Sequence, residues 1–229
     1  MGYRIYRKGD APAIRGVLFD MDGLVLDTEK LYTRFWMEAC AWYGFSMTRQ
    51  QALRMRAANS QLSRANLLEF FGPGAGYTAI RAKRIELMDA FIEEHGVETK
   101  PGIGELLDYL QQRGIRTAIT SSSPRDRIRA HLQQVGIYHR FDEIVSGYEV
   151  PRGKPEPDIY LRGAEVLGLA PGECLALEDA PTGITAAFRA GCVPVMIPDQ
   201  DEPAPETEAM LFARGDSLRD VIDLVEMLG

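Results

Sequence analysis

Residues Gly16 to Thr28 read Gly-Val-Leu-Phe-Asp-Met-Asp-Gly-Leu-Val-Leu-Asp-Thr, and this stretch restricts the fold more than any other. Val17, Leu18 and Phe19 form an apolar run without polar alternation, as in a strand covered on both faces. Such strands belong to parallel α/β sheets, whose carboxyl ends border the ligand crevice. The run stops at Asp20, and Asp22 and Gly23 follow at once. Gly23 permits a sharp turn that leaves both carboxylates facing one cleft. A simple Asx turn capping the strand uses the same residue types. The full spacing Asp-x-Asp-Gly-x-x-x-Asp-Thr, closed by Asp27 and Thr28, is far more specific than such a turn requires.

Downstream, the pattern changes. Helical spacing and glycine or proline breaks predict helices over 29–44, 48–57, 61–71 and 77–95, with a Gly72-Pro73-Gly74-Ala75-Gly76 break before the last. No strand is predicted between Glu29 and about Glu98. After Pro101 strand and helix alternate: helix 103–113, strand 116–120, helix 125–135, strand 143–146, helix 155–167, strand 174–177, helix 182–190, strand 193–197. Met210 to Phe212 is read as a last strand and 217–228 as the closing helix, while Tyr3, Ile5 and Tyr6 suit a leading edge strand. This order predicts a doubly wound parallel sheet with an inserted helical domain. The expected division is 1–28 with 99–229 for the α/β core and 29–98 for the helical insert, hinged at Asp27-Thr28 and Thr99-Lys100-Pro101-Gly102.

With 229 residues the chain is long enough for a sizeable core and a second small domain. A net charge of −7 argues against nucleic acid as the partner. No apolar run approaches a membrane span, and residues 1–15 lack the apolar core of a signal peptide. Cys40, Cys174 and Cys192 are an odd count without framework spacing, which suits reduced thiols and a cytoplasmic location. In the absence of a sustained heptad, a monomer is expected.

Polar residues close several predicted strands: Asp20 and Asp22 after the first, Ser121 and Ser122 after 116–120, Lys154 past 143–146, Glu178 and Asp179 after 174–177. In a parallel sheet these ends share one edge, so the residues converge. Together they resemble, in order, the four motifs of the haloacid dehalogenase-like hydrolases: Asp20-x-Asp22, Ser121, Lys154 in Gly-Lys-Pro-Glu-Pro-Asp, and Glu178-Asp179. The resemblance covers about Gly16 to Asp199 and, in the helical insert, rests on position and type rather than on residues.

The resemblance implies Mg²⁺-dependent phosphoryl transfer from a small phosphorylated substrate. Asp20 is then the nucleophile forming an aspartyl-phosphate, and Asp22 the acid and base, a role typically worth about 10²–10⁴ in rate. Asp20, the Asp22 carbonyl, Asp179 and Glu178 become the metal site. Ser121, Ser122, Gly23 and Lys154 bind the phosphate. The dehalogenases lack an acid where Asp22 stands, so a phosphatase or mutase is implied. The first motif resembles that of sugar-phosphate and nucleoside-phosphate phosphatases with a small helical cap. The alternative is a β-phosphoglucomutase, but those mutases carry a histidine where Tyr32 aligns, and no clear mutase-like loop lies between Arg54 and Asn66. A phospho-acceptor signalling module is the remote alternative, and the helical insert speaks against it.

Several residues also have plain structural readings. Ser121 or Ser123 suits the N-cap of the helix after Pro124, and Glu178-Asp179 suits a helix start. Thr28 reads as a cap or hinge, and Tyr32 and Trp36 as core of the insert. His95, His131 and His139 read as surface or helix-end residues without ligand spacing. Arg54, Arg56, Asn59, Gln61, Arg64 and Lys83 are the polar candidates in the insert for selecting a substrate.

Overall fold

Parallel pairing places the carboxyl ends of three buried strands side by side. In the computed structural model the described residues are 2–6, 13–56, 60–199 and 202–228. Among them seven strands form one sheet, β1 (Tyr3–Ile5), β2 (Gly16–Phe19), β3 (Arg116–Ser121), β4 (Glu143–Ser146), β5 (Cys174–Glu178), β6 (Val193–Met196) and β7 (Ala213–Gly215). The order is β1-β7-β6-β5-β2-β3-β4. All pairs are parallel except β1 with β7. Gly16 is level with both Arg116 and Cys174, and Phe19 with Ile119 and Leu177. That register sets the ends of β2, β3 and β5 at one height.

The helices are α1 (Glu29–Trp42), α2 (Arg49–Arg56), α3 (Ser60–Phe71), α4 (Tyr77–His95), α5 (Ile103–Gln112), α6 (Arg125–Gln134), α7 (Asp158–Val166), α8 (Pro181–Ala190), α9 (Pro205–Glu208) and α10 (Asp220–Leu228). The chain divides into two compact units, Met1–Asp27 with Glu98–Gly229, and Thr28–Val97. In the α/β unit Leu18, Ala118 and Ala176 pack with Ile159, Tyr160, Ala164, Ala186 and Ala187 on α7 and α8. Successive strand residues point to opposite faces, so Val17, Phe19, Ile119 and Leu177, all fully buried, serve the other face. β2, and β5 up to its terminal Glu178, are buried on both faces and apolar, which is why no alternation is visible in them.

The helical unit has its own core of Trp36, Ala39, Cys40, Met47, Ala52, Met55, Leu67 and Ile80. The buried Arg84 guanidinium lies 4.6 Å from the Tyr32 ring centroid and 5.4 Å from that of Trp36. Tyr32 and Trp36 are therefore part of this packing, and Thr28 holds the N-cap position of α1.

Four local readings need correction. Helix α7 begins at Asp158 instead of Pro155, because Glu156 precedes Pro157 and is disfavoured in the helical region. The last strand is Ala213–Gly215 instead of Met210–Phe212; Leu211 is spent on the cluster with Ile184 and Met196. Helix α10 starts at Asp220, whose carboxylate accepts the N–H groups of Asp216 and Ser217 at 2.9 Å. His131 is buried on α6, on the face shared with Ile128. Cys40, Cys174 and Cys192 are free, buried thiols, and no helix among the described residues is long and apolar enough to cross a membrane.

Leu18 is fully buried between sheet and helices, whereas Leu161 on α7 is 44% exposed. Leu18→Ala should lower the unfolding free energy by about 2–5 kcal/mol, and Leu161→Ala should change it by no more than about 0.5 kcal/mol. Denaturant midpoints measure both.

Candidate active site

The sheet edge collects the polar residues. Asp20 stands one residue beyond β2, and its N–H donates to the Leu177 carbonyl at 3.0 Å. Ser121 and Glu178 are the last residues of β3 and β5, and Lys154 returns from the loop after β4. Lys154 Nζ donates to Asp20 Oδ1 at 2.5 Å and to the Thr120 carbonyl at 3.0 Å, and pairs with Glu178 Oε1 at 2.7 Å. Tyr160 donates its hydroxyl to the same Glu178 oxygen. All of these groups are at or near full burial.

Burial sets the charge state of this cluster. Desolvation pushes the Asp20 carboxyl up to about 7; Lys154 pulls it down, while Glu178 and Asp22 push it further up. Burial disfavours the charged Lys154 ammonium, but Asp20 and Glu178 outweigh that and raise it above its ordinary value. Burial, with Glu178 and Asp20 adding to it, also raises the Tyr160 hydroxyl, which therefore stays a donor.

Carboxylate oxygens of Asp20, Glu178 and Asp179 lie within 4.8 Å of one another. Lys154 pairs with two of these three acids, and an all-oxygen donor set of this kind suits a hard divalent cation. The Glu178 side chain reaches this position because α8 carries Gly183 against it: a Cβ at Gly183 would lie 1.9 Å from Glu178 Cδ.

Asp22 sits in the turn after β2, where the Val25 and Leu26 N–H groups donate to the Met21 carbonyl at 3.0 and 2.9 Å. Gly23 has φ of 89° and donates its N–H to the Leu26 carbonyl at 2.9 Å. Its amide thus closes the turn that the sequence assigns to it. Ser121 is buried and its Oγ accepts the Ser123 N–H at 3.1 Å, while Ser122 is exposed on the same loop. Ser123 Oγ donates to Asp22 Oδ2 at 3.3 Å.

The structure therefore brings together Asp20, Lys154, Glu178 and Asp179, and ties Asp22 to the serine loop. Tyr160, Ser123 and the Thr120 carbonyl join them, and sequence reading missed all three. Tyr160 lies near the start of α7, and nothing in its spacing indicates where its hydroxyl reaches. Among the candidates in the helical unit, Arg54 is paired with Glu69 at 2.7 Å and Lys83 with Glu86 at 2.7 Å. The Arg64 guanidinium stacks 5.5 Å from the Tyr77 ring centroid, and Gln61 is exposed. Asn59 and the Arg56 side chain lie outside the described residues.

Residues 14–191 match the family description of a haloacid dehalogenase-like hydrolase. The chain belongs to that family. It is 34% identical over 180 residues to hexitol phosphatase A of Escherichia coli (strain K12), covering 78% of this chain and 80% of that one. It is 31% identical over 186 residues to beta-phosphoglucomutase of Bacillus subtilis (strain 168), with 78% and 80% covered. Among solved structures, CbbY from Rhodobacter sphaeroides in complex with phosphate is similar with a TM-score of 0.76, 27% identity, and 91% and 96% of the two chains covered. The fold is thus the mixed α/β fold of this family, with a central parallel sheet.

Because the folded-state value of Asp20 is raised, the native state holds its proton at pH values where the unfolded chain has lost it. The metal-free protein should lose stability as pH rises from about 4 through about 7. Asp20→Asn should remove that loss, so its melting temperature should gain on the wild type between about pH 5 and about pH 8 in EDTA. Gly183→Ala should displace Glu178 and weaken divalent-cation binding at the acid cluster by about tenfold or more, as outer contacts of metal sites do; calorimetric titration reads it.

Proposed function

We propose that the chain is a Mg²⁺-dependent phosphomonoester hydrolase acting on a small phosphorylated metabolite, a sugar phosphate or a nucleotide, through an aspartyl-phosphate. The observation that carries this reading is Asp20: a carboxylate at the sheet edge, bound by Lys154 at 2.5 Å and grouped with Glu178 and Asp179.

In this reading an Asp20 oxygen attacks phosphorus, and the bond from phosphorus to the leaving oxygen breaks. Asp22 gives its proton to that oxygen, then takes one from the water that attacks the aspartyl-phosphate. The bond from phosphorus to Asp20 breaks and phosphate leaves. Lys154 holds a phosphate oxygen beside Asp20, and Ser121 with the N–H groups of its loop holds others. Asp20, Asp179, Glu178 and the Asp22 carbonyl would hold Mg²⁺, which offsets the repulsion between Asp20 and the anionic substrate.

Identity alone separates hydrolase and mutase poorly, since hexitol phosphatase A and beta-phosphoglucomutase match almost equally. Tyr32 favours the hydrolase. It stands where the mutases carry a histidine, and its ring is covered by the Arg84 guanidinium. Three buried free thiols support a cytoplasmic location.

Phosphate release from a panel of sugar phosphates and nucleotides, including β-glucose-1-phosphate, tests the reading. Release should require Mg²⁺ and vanish in EDTA, and Asp20→Asn should lose at least about 10³-fold in kcat with an unchanged fold. Conversion of β-glucose-1-phosphate to glucose-6-phosphate with little free phosphate would instead make the enzyme a mutase.

A further inference from the structure

The three consecutive serines after β3 do not share one task. Ser123 was a candidate N-cap for α6, yet Pro124 holds that position and α6 has no side-chain cap. Its hydroxyl turns instead to Asp22 Oδ2, at 3.3 Å, from a residue only 6% exposed. The backbone around it is pinned from two sides. Its N–H donates to Ser121 Oγ at 3.1 Å, and its carbonyl accepts the Ser146 hydroxyl at 2.7 Å. The Gly147 N–H donates to the Ser121 carbonyl at 2.8 Å. Arg125 closes the far side, bonding the Ile144 carbonyl at 2.6 Å and both oxygens of Glu149, so the loop after β4 is tied to the first turn of α6. Ser123 therefore offers a hydroxyl at a fixed place, at the point where the serine loop meets the Asp-x-Asp turn.

We propose that Ser123 is a positioning residue for Asp22: its hydroxyl fixes the carboxyl of the acid–base group relative to the phosphate loop of Ser121. The inference rests on the hydrolase reading of Asp22 given above. Proton transfer to a leaving oxygen demands hydrogen-bond geometry, so a carboxyl free to change rotamer reaches that geometry less often. The bond from Ser123 couples Asp22 to the same loop that holds the phosphate, so acid and leaving oxygen keep their separation when the loop binds substrate.

The dependence on leaving group distinguishes this role from support of the loop alone. p-Nitrophenolate departs with little need of a proton, whereas phenolate needs one. Steady-state kinetics with Mg²⁺ on p-nitrophenyl phosphate and phenyl phosphate should be compared for wild type, Ser123→Ala, Ser123→Thr and Asp22→Asn. Ser123→Ala should lose about tenfold in kcat/KM, which reports only the steps up to leaving-group departure, on phenyl phosphate and markedly less on p-nitrophenyl phosphate. Ser123→Thr, which keeps a hydroxyl, should restore the phenyl phosphate rate. The Ser123→Ala, Asp22→Asn double variant should be no slower than Asp22→Asn alone. Where the alanine variant melts early, Ser123→Gly gives the same comparison.

Equal losses in kcat/KM on both esters would overturn the inference and leave Ser123 a part of the phosphate loop. Asp22→Asn without any leaving-group dependence of kcat/KM would instead overturn the acid role of Asp22 itself.

Discussion

One ammonium serves two buried carboxylates. Lys154 Nζ lies 2.5 Å from Asp20 and 2.7 Å from Glu178, with Asp179 close by and Asp22 two residues from Asp20. A buried charge without a partner is costly, and here acids outnumber the cation at the edge of a dry sheet. Burial is what mainly raises Asp20 toward neutrality, and the neighbouring carboxylates of Glu178 and Asp22 add to it while Lys154 opposes it. A divalent cation held by this cluster would favour the ionised carboxylate, the form that the proposed phosphoryl-transfer step needs.

The rest of the α/β unit maintains this arrangement. The level register of β2, β3 and β5 puts Asp20, Thr120 and Glu178 at one height, with Ser121 one residue beyond. Tight approach of α8 at Gly183 leaves space for the Glu178 carboxylate, and α7 supplies Tyr160 as a neutral donor to it. A neutral donor satisfies a carboxylate oxygen without adding a cation that would compete with a metal. The helical unit builds a separate core of its own, with the buried Arg84 stacked on aromatic rings.

Much of this was legible from residues alone, for definite physical reasons. Strands buried on both faces are uniformly apolar, so β2 and β5 announced themselves, and the acids ending them could only lie at the carboxyl edge. Asp20, Asp22, Glu178 and Asp179 could be placed because each is within a few residues of a strand end, whereas Lys154, eight residues past β4, was placed by its Gly-Lys-Pro setting. Short peripheral elements were harder. Strand β7 has three residues with Arg214 at its centre, and it owes its place to pairing with β1 and β6 rather than to its own pattern. Ser123 was legible only as a helix cap and Tyr160 not at all, because a side chain's partner 101 or 18 residues away leaves no periodic trace. Gly23 was legible as a turn residue because the chain reverses there, and its positive φ of 89° and its N–H bond to the Leu26 carbonyl both serve that turn.

The most direct test of the central claim is calorimetric titration of Mg²⁺ into the metal-free protein at neutral pH, for the wild type and for Asp179→Asn. The account predicts saturable binding of about one Mg²⁺ per chain, weakened at least about tenfold by removing the Asp179 charge. Binding that is absent in the wild type, or unchanged in the variant, would contradict it: the acid cluster would then be balanced by Lys154 alone.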